Sequence, residues 1–399
     1  MSKSALEATG SGLRVALDPR STAVPGARYL RACRRLPVDT TPVWFMRQAG
    51  RALPEYRAIR QRATLATCIA DPALAAEITL LPVERLGVDA AIVFADITTP
   101  LTAIGAGVRL DDGVGPVVDR PIRTASAVEG LARLVEAAAG SPDQGLPEGG
   151  LFDSVATTIR LVRGASQVPV IGFAGGPFTL ACYLVEGTSR RGAAAEFPTL
   201  RLLLRREPDV AERLLDSLTR LTSAYLRAQV AAGADSIMLF DSWVGGLSPA
   251  DYRRFVRPRT ARLVREVRAL GVPVTVFGTN TAGLLADLAS TEPDVVGLDW
   301  RIELDEGWRR VGPDRAIQGN LDPWLLLGPW AEVEAATRAI LAAAAGRPGH
   351  VFNLGHGVLP TTDVDVLRRL VDLVHEVGLR GPASVRRPSP RRGTSTSVP

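Results

Sequence analysis

The feature that most constrains the fold is a repeated alternation of short apolar runs with long amphipathic segments. Seven runs rich in β-branched or aromatic residues are predicted to be buried parallel strands, at 91–94, 169–173, 236–240, 273–277, 294–298, 315–318 and 351–354. The segments between them carry helix-start signals such as Asp71-Pro72 and Ser248-Pro249, an N-cap residue followed by a first-turn proline. We therefore expect one α/β domain built from strand–helix units.

A further apolar run, VWFM at 43–46, supplies a candidate eighth strand. Eight parallel strands with intervening helices would close a single-domain (β/α)8 TIM-type barrel, and this is the predicted fold. The alternative is an open doubly wound sheet, which usually has a glycine-rich turn after its first strand. The stretch AIVFADITTP has no such turn, so the barrel is favoured. The segment VRLDDGVGPVVDRPIR predicts an inserted hairpin.

The distribution of charge separates the ends of the chain from its centre. The net charge of +5 consists of +4 from residues 381–399 and +1 from residues 1–26, which leaves zero for residues 27–380. Both ends are rich in Ser, Pro, Gly and Thr and are predicted to be disordered. The domain prediction is therefore a disordered extension at 1–26, a barrel at 27–380 and a disordered Arg/Ser/Pro-rich tail at 381–399. A neutral barrel is not expected to bind nucleic acid, and binding of a polyanion by the arginine-rich C-terminal tail stays open as an alternative.

Segments that would direct the chain to a membrane or an oxidising compartment are not found in the sequence. The first residues lack the apolar run of a signal peptide, and no stretch of 18 apolar residues occurs. A cytoplasmic protein without a membrane partner is predicted. Cys33, Cys68 and Cys182 lie far apart without C-x-x-C or H-x-C spacing, so neither a disulfide nor a metal site is expected.

Polar residues follow the predicted strands at consistent positions. In a parallel barrel these positions line the catalytic face. His350 precedes its predicted strand and His375 lies in the last helix, so both are expected to be structural. The residues predicted to form the ring are Asp96, Gly175, Gly176, Asp241, Ser242, Gly278, Thr279, Asp299, Asn320 and His356.

Arg47 and Arg51 form a cationic pair in the stretch PVWFMRQAGRALPEYR. No acidic residue occurs between Trp44 and Leu53, so their partner is expected outside this segment. Arginine binds a carboxylate through two parallel hydrogen bonds, which suits an acidic ligand. His356, between two glycines, could serve such a ligand as a neutral hydrogen-bonding group or as a proton donor.

Five motifs, read in order, resemble those of the uroporphyrinogen decarboxylase family: MRQAGRALPEYR, FADI, GFAGGPFTLACYLVEG, LFDSW and NLGHG. The similarity runs from about residue 29 to residue 379. It implies a (β/α)8 barrel, a homodimer and no metal or cofactor. The implied reaction converts the four acetate side chains of uroporphyrinogen III to methyls, giving coproporphyrinogen III and CO2 in haem biosynthesis.

The resemblance also implies roles for individual residues. Arg47, Gln48 and Arg51 match the family's binders of substrate carboxylates, and Asp96 matches its central acceptor of pyrrole N–H groups. Tyr183, Ser242 and His356 match its other pocket residues. Asp96 and Arg47 are the predicted catalytic residues. The donor of the ring proton stays open between Arg47 and His356. The two terminal extensions and the FGTNT loop depart from the family pattern.

Three other functions are weighed against this one. A zinc-dependent methyltransferase of the same superfamily would need a His-x-Cys pair and a further late cysteine, but no cysteine follows Cys182. An inactive tetrapyrrole or polyanion carrier would be expected to lack Asp96 or Arg47, and both are present. A barrel with an unrelated substrate would leave the RQAGR and GFAGGPFTL stretches without an explanation.

Overall fold

The computed structural model describes residues 27–139, 152–187 and 196–378. The predicted tails at 1–26 and 381–399 lie outside these ranges and stay predictions. The described strands are β1 Ala91–Ile92, β2 Val108–Asp111, β3 Gly115–Val118, β4 Val170–Gly175, β5 Ser236–Phe240, β6 Val274–Phe277, β7 Val295–Gly297, β8 Ala316–Gln318 and β9 His350–Val351. Seven of them form one parallel sheet in the order β1-β4-β5-β6-β7-β8-β9, while β2 and β3 form the predicted antiparallel hairpin.

The helices alternate with the sheet strands and begin at the predicted signals. Asp71 accepts hydrogen bonds from the backbone N–H groups of Ala73 and Leu74, and Ser248 accepts one from Asp251. A π-helical turn at Tyr252–Val256 joins α11 to α12. The described helices are α1 Arg28–Cys33, α2 Pro54–Arg62, α3 Leu65–Ala70, α4 Pro72–Leu86, α5 Thr99–Ala103, α6 Ala125–Ala139, α7 Asp153–Ala165, α8 Pro177–Glu186, α9 Pro198–Arg206, α10 Pro208–Ala231, α11 Pro249–Asp251, α12 Arg257–Arg268, α13 Leu285–Ala289, α14 Leu304–Val311, α15 Trp330–Ala344 and α16 Val364–Val377.

The gap between β9 and β1 is filled by residues 42–44. Val43 forms a parallel bridge with Phe352, and the Phe352 N–H donates to the Pro42 carbonyl at 2.8 Å. On the other side, the Asp89 N–H donates to the Val43 carbonyl at 2.8 Å. The sheet is therefore closed around its axis, and the predicted TIM-type barrel is confirmed.

The predicted eighth strand at 43–46 is wrong in extent, because only Val43 forms a bridge. The next backbone N–H groups donate hydrogen bonds to side chains instead of to a neighbouring strand, so the strand pairing does not continue. The Phe45 N–H donates to the side-chain oxygen of Gln48 at 2.9 Å, and the Met46 N–H donates to that of Asn353 at 3.1 Å. The chain consequently leaves the sheet and turns at residues 46–50.

Two of the histidines, His375 and His350, make contacts within the body of the barrel. His375, on α16 as predicted, contacts Asp89 at 2.7 Å, and Asp89 also pairs with Arg28 at 3.0 Å. The prediction that His350 precedes its strand is wrong, because His350 begins β9. Its Nε2 lies 3.0 Å from the Gly319 carbonyl, and the residue is buried. Both residues nevertheless have the structural role that was expected.

Candidate active site

A cavity of about 300 Å³ opens at the carboxyl ends of the strands. Its floor is apolar and includes Ile92, Phe173, Phe240 and Phe277. Six of the seven residues predicted to form the site line it, and they bring cationic, anionic and neutral hydrogen-bonding groups together. These six are Arg47, Arg51, Asp96, Tyr183, Ser242 and His356.

Arg47 occupies a constrained position at the edge of the cavity. Its φ of 63° lies in the left-handed region, which is uncommon for a residue other than glycine. The Val358 N–H donates to the Met46 carbonyl at 2.9 Å and fastens this turn to the segment after β9. A Cβ atom at Gly357 would lie 2.5 Å from Cδ of Arg47. Glycine at 357 therefore leaves the space that the Arg47 side chain occupies.

Gln48 is the predicted site residue that does not line the cavity. It is fully buried; its side-chain oxygen accepts the Phe45 N–H, and its side-chain nitrogen donates to the Ala90 carbonyl at 2.9 Å. Both ends of the amide are thus committed to backbone groups. The structure places Gln48 behind the turn that carries Arg47 and Arg51, where its amide supports that turn, and its role as a binder of substrate carboxylates stays a prediction.

Asp96 follows β1 and is partly buried. Its Oδ1 accepts hydrogen bonds from the backbone N–H and the hydroxyl of Thr98, at 2.8 Å and 2.6 Å. The Asp96 N–H donates to the Thr99 hydroxyl at 3.1 Å, which fixes the loop further. Within the described residues no hydrogen bond engages Oδ2. The carboxylate is therefore held in orientation through one oxygen while the other can accept from a ligand.

His356 is a neutral imidazole at neutral pH. Its Nδ1 accepts the Gly357 N–H at 2.7 Å, so the single proton of the neutral ring lies on Nε2. Burial, followed by the positive charges of Arg47, Arg51 and Arg301, lowers its pKa from 6.5 to about 4. Of the two roles left open by the sequence, this geometry favours hydrogen-bond donation from Nε2 over proton transfer from an imidazolium.

Phenylalanine side chains form much of the cavity floor, and they were not singled out from the sequence. Phe173 and Phe240 lie edge to face at 5.5 Å between ring centres, and Phe240 and Phe277 do so at 6.1 Å. Tyr183 packs on Trp243 at 4.5 Å. A signal was present, because Phe173, Phe240 and Phe277 each end a predicted strand at the edge where the polar ring was expected.

Asp241 does not line the cavity itself but orients two residues that do, Tyr183 and Ser242. Its Oδ1 accepts hydrogen bonds from the backbone N–H and the hydroxyl of Thr179, at 3.0 Å and 2.7 Å, in the first turn of α8. That helix carries Tyr183, and Ser242 directly follows Asp241. A Cβ atom at Gly176 would lie 2.3 Å from the carboxyl carbon of Asp241, so this contact requires glycine. Burial raises the pKa of Asp241 to about 6.

The cavity thus offers two arginines, one oriented carboxylate, a neutral imidazole and an apolar floor. Such a set suits a ligand that combines several carboxylates with an apolar framework and N–H donors. Within the described residues, no group of three or more His, Cys, Asp or Glu side chains is arranged to hold a metal ion. In the same ranges, none of the helices combines the length and apolarity needed to cross a bilayer.

Comparison with known proteins decides the family. Residues 25–377 match the family described as uroporphyrinogen decarboxylase (URO-D). The chain belongs to the uroporphyrinogen decarboxylase family. A uroporphyrinogen decarboxylase from Roseiflexus sp. is 47% identical over 360 residues, covering 88% of this chain and 98% of the relative. One from Streptomyces coelicolor is 50% identical over 354 residues, covering 89% of this chain and 95% of the relative. This member of the family is therefore an enzyme, a carboxy-lyase.

The comparison with solved structures supports the barrel. A methyltransferase from Methanosarcina mazei superposes with a TM-score of 0.70 at 22% sequence identity, covering 88% of this chain and 98% of that protein. At this identity the likeness shows a shared fold. This chain and the methyltransferase thus share the barrel fold.

Proposed function

We propose that this enzyme removes CO2 from the four acetate side chains of uroporphyrinogen III, giving coproporphyrinogen III in porphyrin biosynthesis. The observation that carries the proposal is the convergence of Arg47, Arg51 and His356 with the oriented carboxylate of Asp96 over one apolar floor. A tetrapyrrole with eight carboxylates and four pyrrole N–H groups has the chemistry that matches this set.

The substrate supplies its own electron sink. Protonation of a pyrrole at the α-carbon beside the acetate produces an iminium-like cation. The bond between the acetate methylene and its carboxylate then breaks, CO2 leaves, and the electron pair enters the ring. A second proton then converts the resulting exocyclic methylene to a methyl group. The α-carbon of the ring loses the proton that it gained in the first step, which restores the pyrrole. Each acetate thus consumes one proton net, and no cofactor is required for the electron balance.

Asp96 would bind the pyrrole N–H groups and stabilise the cation. Thr98 holds one carboxylate oxygen, so the charge is oriented before the substrate arrives. A preorganised negative charge stabilises a developing positive charge more strongly in a partly buried cavity than in water. The interaction with Asp96 therefore strengthens along the reaction path, which is the requirement for faster chemistry.

The arginines and His356 would bind the carboxylates of the substrate. Arg47 and Arg51 provide planar, permanently charged donors, and the neutral His356 ring provides a further donor at Nε2. We propose that the ring proton is delivered at Arg47, from the guanidinium or from a water that it holds. His356 is less suited to this role, because with a pKa of about 4 its ring is almost entirely in the neutral form at neutral pH.

Assembly and location are part of the proposal and rest on the family resemblance and the sequence. We propose a cytoplasmic homodimer whose catalytic unit is the barrel at 27–380, with residues 1–26 and 381–399 dispensable for turnover. Sedimentation analysis of the purified protein tests the dimer. A truncated chain covering residues 27–380 with the turnover of the full chain would support the domain assignment, and an inactive but folded truncation would contradict it.

The reaction itself is tested with uroporphyrinogen III under reducing, anaerobic conditions. Chromatography should resolve successive loss of one to four carboxyl groups, with release of one CO2 for each. The variant Arg57→Met, on the exposed side of α2, is a control that should behave as wild type. Substrate that keeps all of its carboxylates with the folded wild-type enzyme would overturn the proposed function.

A further inference from the structure

The loop after β7 is held rigidly beside the cavity, although the proposed mechanism does not use it. The backbone N–H of Arg301 donates to Oδ1 of the buried Asp299 at 3.0 Å, and the Asn280 N–H donates to Oδ2. The side-chain nitrogen of Asn320 donates to the carbonyls of Asp299 and Ile302, at 2.8 Å and 2.7 Å. Groups that follow β6 and β8 therefore fix this loop from both sides.

The same loop packs against the segment that carries His356. A Cβ atom at Gly355 would lie 2.3 Å from the Trp300 backbone nitrogen, so the two segments are in close contact. The Trp300 ring lies edge-on to His356 with 6.2 Å between ring centres, and the Arg301 guanidinium carbon lies 3.9 Å from the centre of the Trp300 ring. The sum of these distances places that carbon within 10.1 Å of the His356 ring centre.

Arg301 is ordered by its neighbours and still open to solvent. One nitrogen, Nη1, donates to Asp299 at 2.8 Å, and the side chain is 45% exposed. Across the described ranges, no hydrogen bond engages Nε or Nη2 of Arg301. Stacking on Trp300 holds the guanidinium plane, which lowers the entropy lost when a carboxylate binds to the remaining edge.

The size and charge of the substrate require contacts beyond the cavity. A volume of about 300 Å³ lies at the lower end for ligand pockets, and four pyrroles with eight acidic side chains exceed it. Of the described residues that line the cavity, Arg47 and Arg51 are the permanently charged cations. Peripheral carboxylates must therefore lie over the rim, where an ordered cation would bind them.

We infer that Arg301 is a substrate-binding residue at the rim, which takes a peripheral carboxylate of the tetrapyrrole through its Nε and Nη2 edge. The inference rests on the proposed function for the identity of the ligand. The electrostatics at His356 agree with this placement. Arg301 lowers the pKa of His356 more than its ion-pair partner Asp299 raises it, so the pair still presents positive charge toward the cavity.

Equilibrium binding of uroporphyrin, followed by its fluorescence, tests the inference without turnover. Uroporphyrin is the oxidised form of the substrate and keeps all eight carboxylates. Arg301→Gln should raise the Kd by about two- to fivefold, the effect of one charge-assisted contact at a partly exposed site. It should also make the Kd less dependent on salt concentration. Arg301→Lys should restore the salt dependence and part of the affinity.

Arg369→Gln is the matched control. Arg369 also stacks on a tryptophan, with its guanidinium carbon 4.0 Å from the centre of the Trp330 ring, but it lies on α16, away from the cavity. Wild-type affinity and salt dependence in this variant are expected.

Two results would overturn the inference: a Kd and salt dependence for Arg301→Gln equal to those of wild type, or equal losses in Arg301→Gln and Arg301→Lys together with a lower melting temperature. A wild-type enzyme that binds uroporphyrin but does not decarboxylate uroporphyrinogen would instead contradict the proposed function.

Discussion

The contact between Gly357 and Arg47 gives the sharpest test of the site's geometry. In Gly357→Ala, the new Cβ would lie 2.5 Å from Cδ, 2.7 Å from Cγ and 3.1 Å from Cβ of Arg47. Carbon atoms in favourable contact are about 3.5–4.0 Å apart, so the Arg47 side chain must move by about 1 Å. The atoms nearest the backbone are involved, and the backbone at φ 63° is already constrained, so movement of the guanidinium end alone cannot relieve the clash.

Overpacking of this kind costs about 1–3 kcal/mol in free energy of unfolding. A displacement of about 1 Å in a positioning group lowers turnover by about a hundredfold. Urea unfolding should therefore show a modest loss of stability, while single-turnover decarboxylation should show a large loss of rate. The matched control is Gly283→Ala, since a Cβ atom at Gly283 meets nothing within 4 Å and its φ is not in the left-handed region.

Equal single-turnover rates in Gly357→Ala and wild type would refute the reasoning. They would mean that the space beside Gly357 does not set the position of Arg47, or that the position of Arg47 does not matter for the chemistry. A loss of rate with the same size in Gly283→Ala would also refute it, because the effect would then not come from the Arg47 contact.

Three further predictions concern other residues of the site. Arg51→Lys should weaken substrate binding by about tenfold and spare the single-turnover rate, because lysine cannot form two parallel hydrogen bonds with a carboxylate; Arg57→Lys, on the exposed side of α2, should change neither. For His356, the folded pKa of about 4 lies below the ordinary 6.5, so the unfolded chain binds more protons between these values. Its contribution to the free energy of unfolding should be full above pH 6.5 and lost as the pH falls to 4, and urea unfolding of His356→Gln should lack that loss. For Asp241, the folded pKa of about 6 lies above the ordinary 3.8, so its contribution should be largest below pH 3.8 and decrease as the pH rises through 6. In Asp241→Asn, urea unfolding should lack that decrease, and a decrease equal to that of wild type would show that another group titrates.

The sequence predicted the strands well because buried parallel strands are continuous apolar runs. The run at 236–240 coincides with β5, and the others differ by a few residues at their ends. The run at 43–46 is equally apolar, yet it leaves the sheet after Val43. The cause is capture of the Phe45 and Met46 N–H groups by the side chains of Gln48 and Asn353. Asn353 lies 307 residues after Met46 in the sequence, so no local pattern could reveal this contact.

For the site, the sequence identified polar residue types at strand ends but not the direction of each side chain. Gln48 lies between the two arginines in the motif, yet its amide is bonded to backbone groups behind them. The protonation of His356 likewise depends on a hydrogen bond from the adjacent backbone and on three arginines brought together by the fold. Burial and charge of this kind come from tertiary structure, so a motif alone leaves them open.

The central claim is that the negative charge of Asp96 stabilises a cation formed during the reaction. Asp96→Asn keeps the shape and one acceptor oxygen but removes the charge. Its single-turnover rate on uroporphyrinogen should fall at least about a hundredfold, a larger loss than the loss in affinity for the substrate. Asp119→Asn, an exposed residue paired with Arg109, is the control and should match wild type. A variant Asp96→Asn that turns over near the wild-type rate but binds the substrate poorly would contradict the claim and leave Asp96 as an anchor.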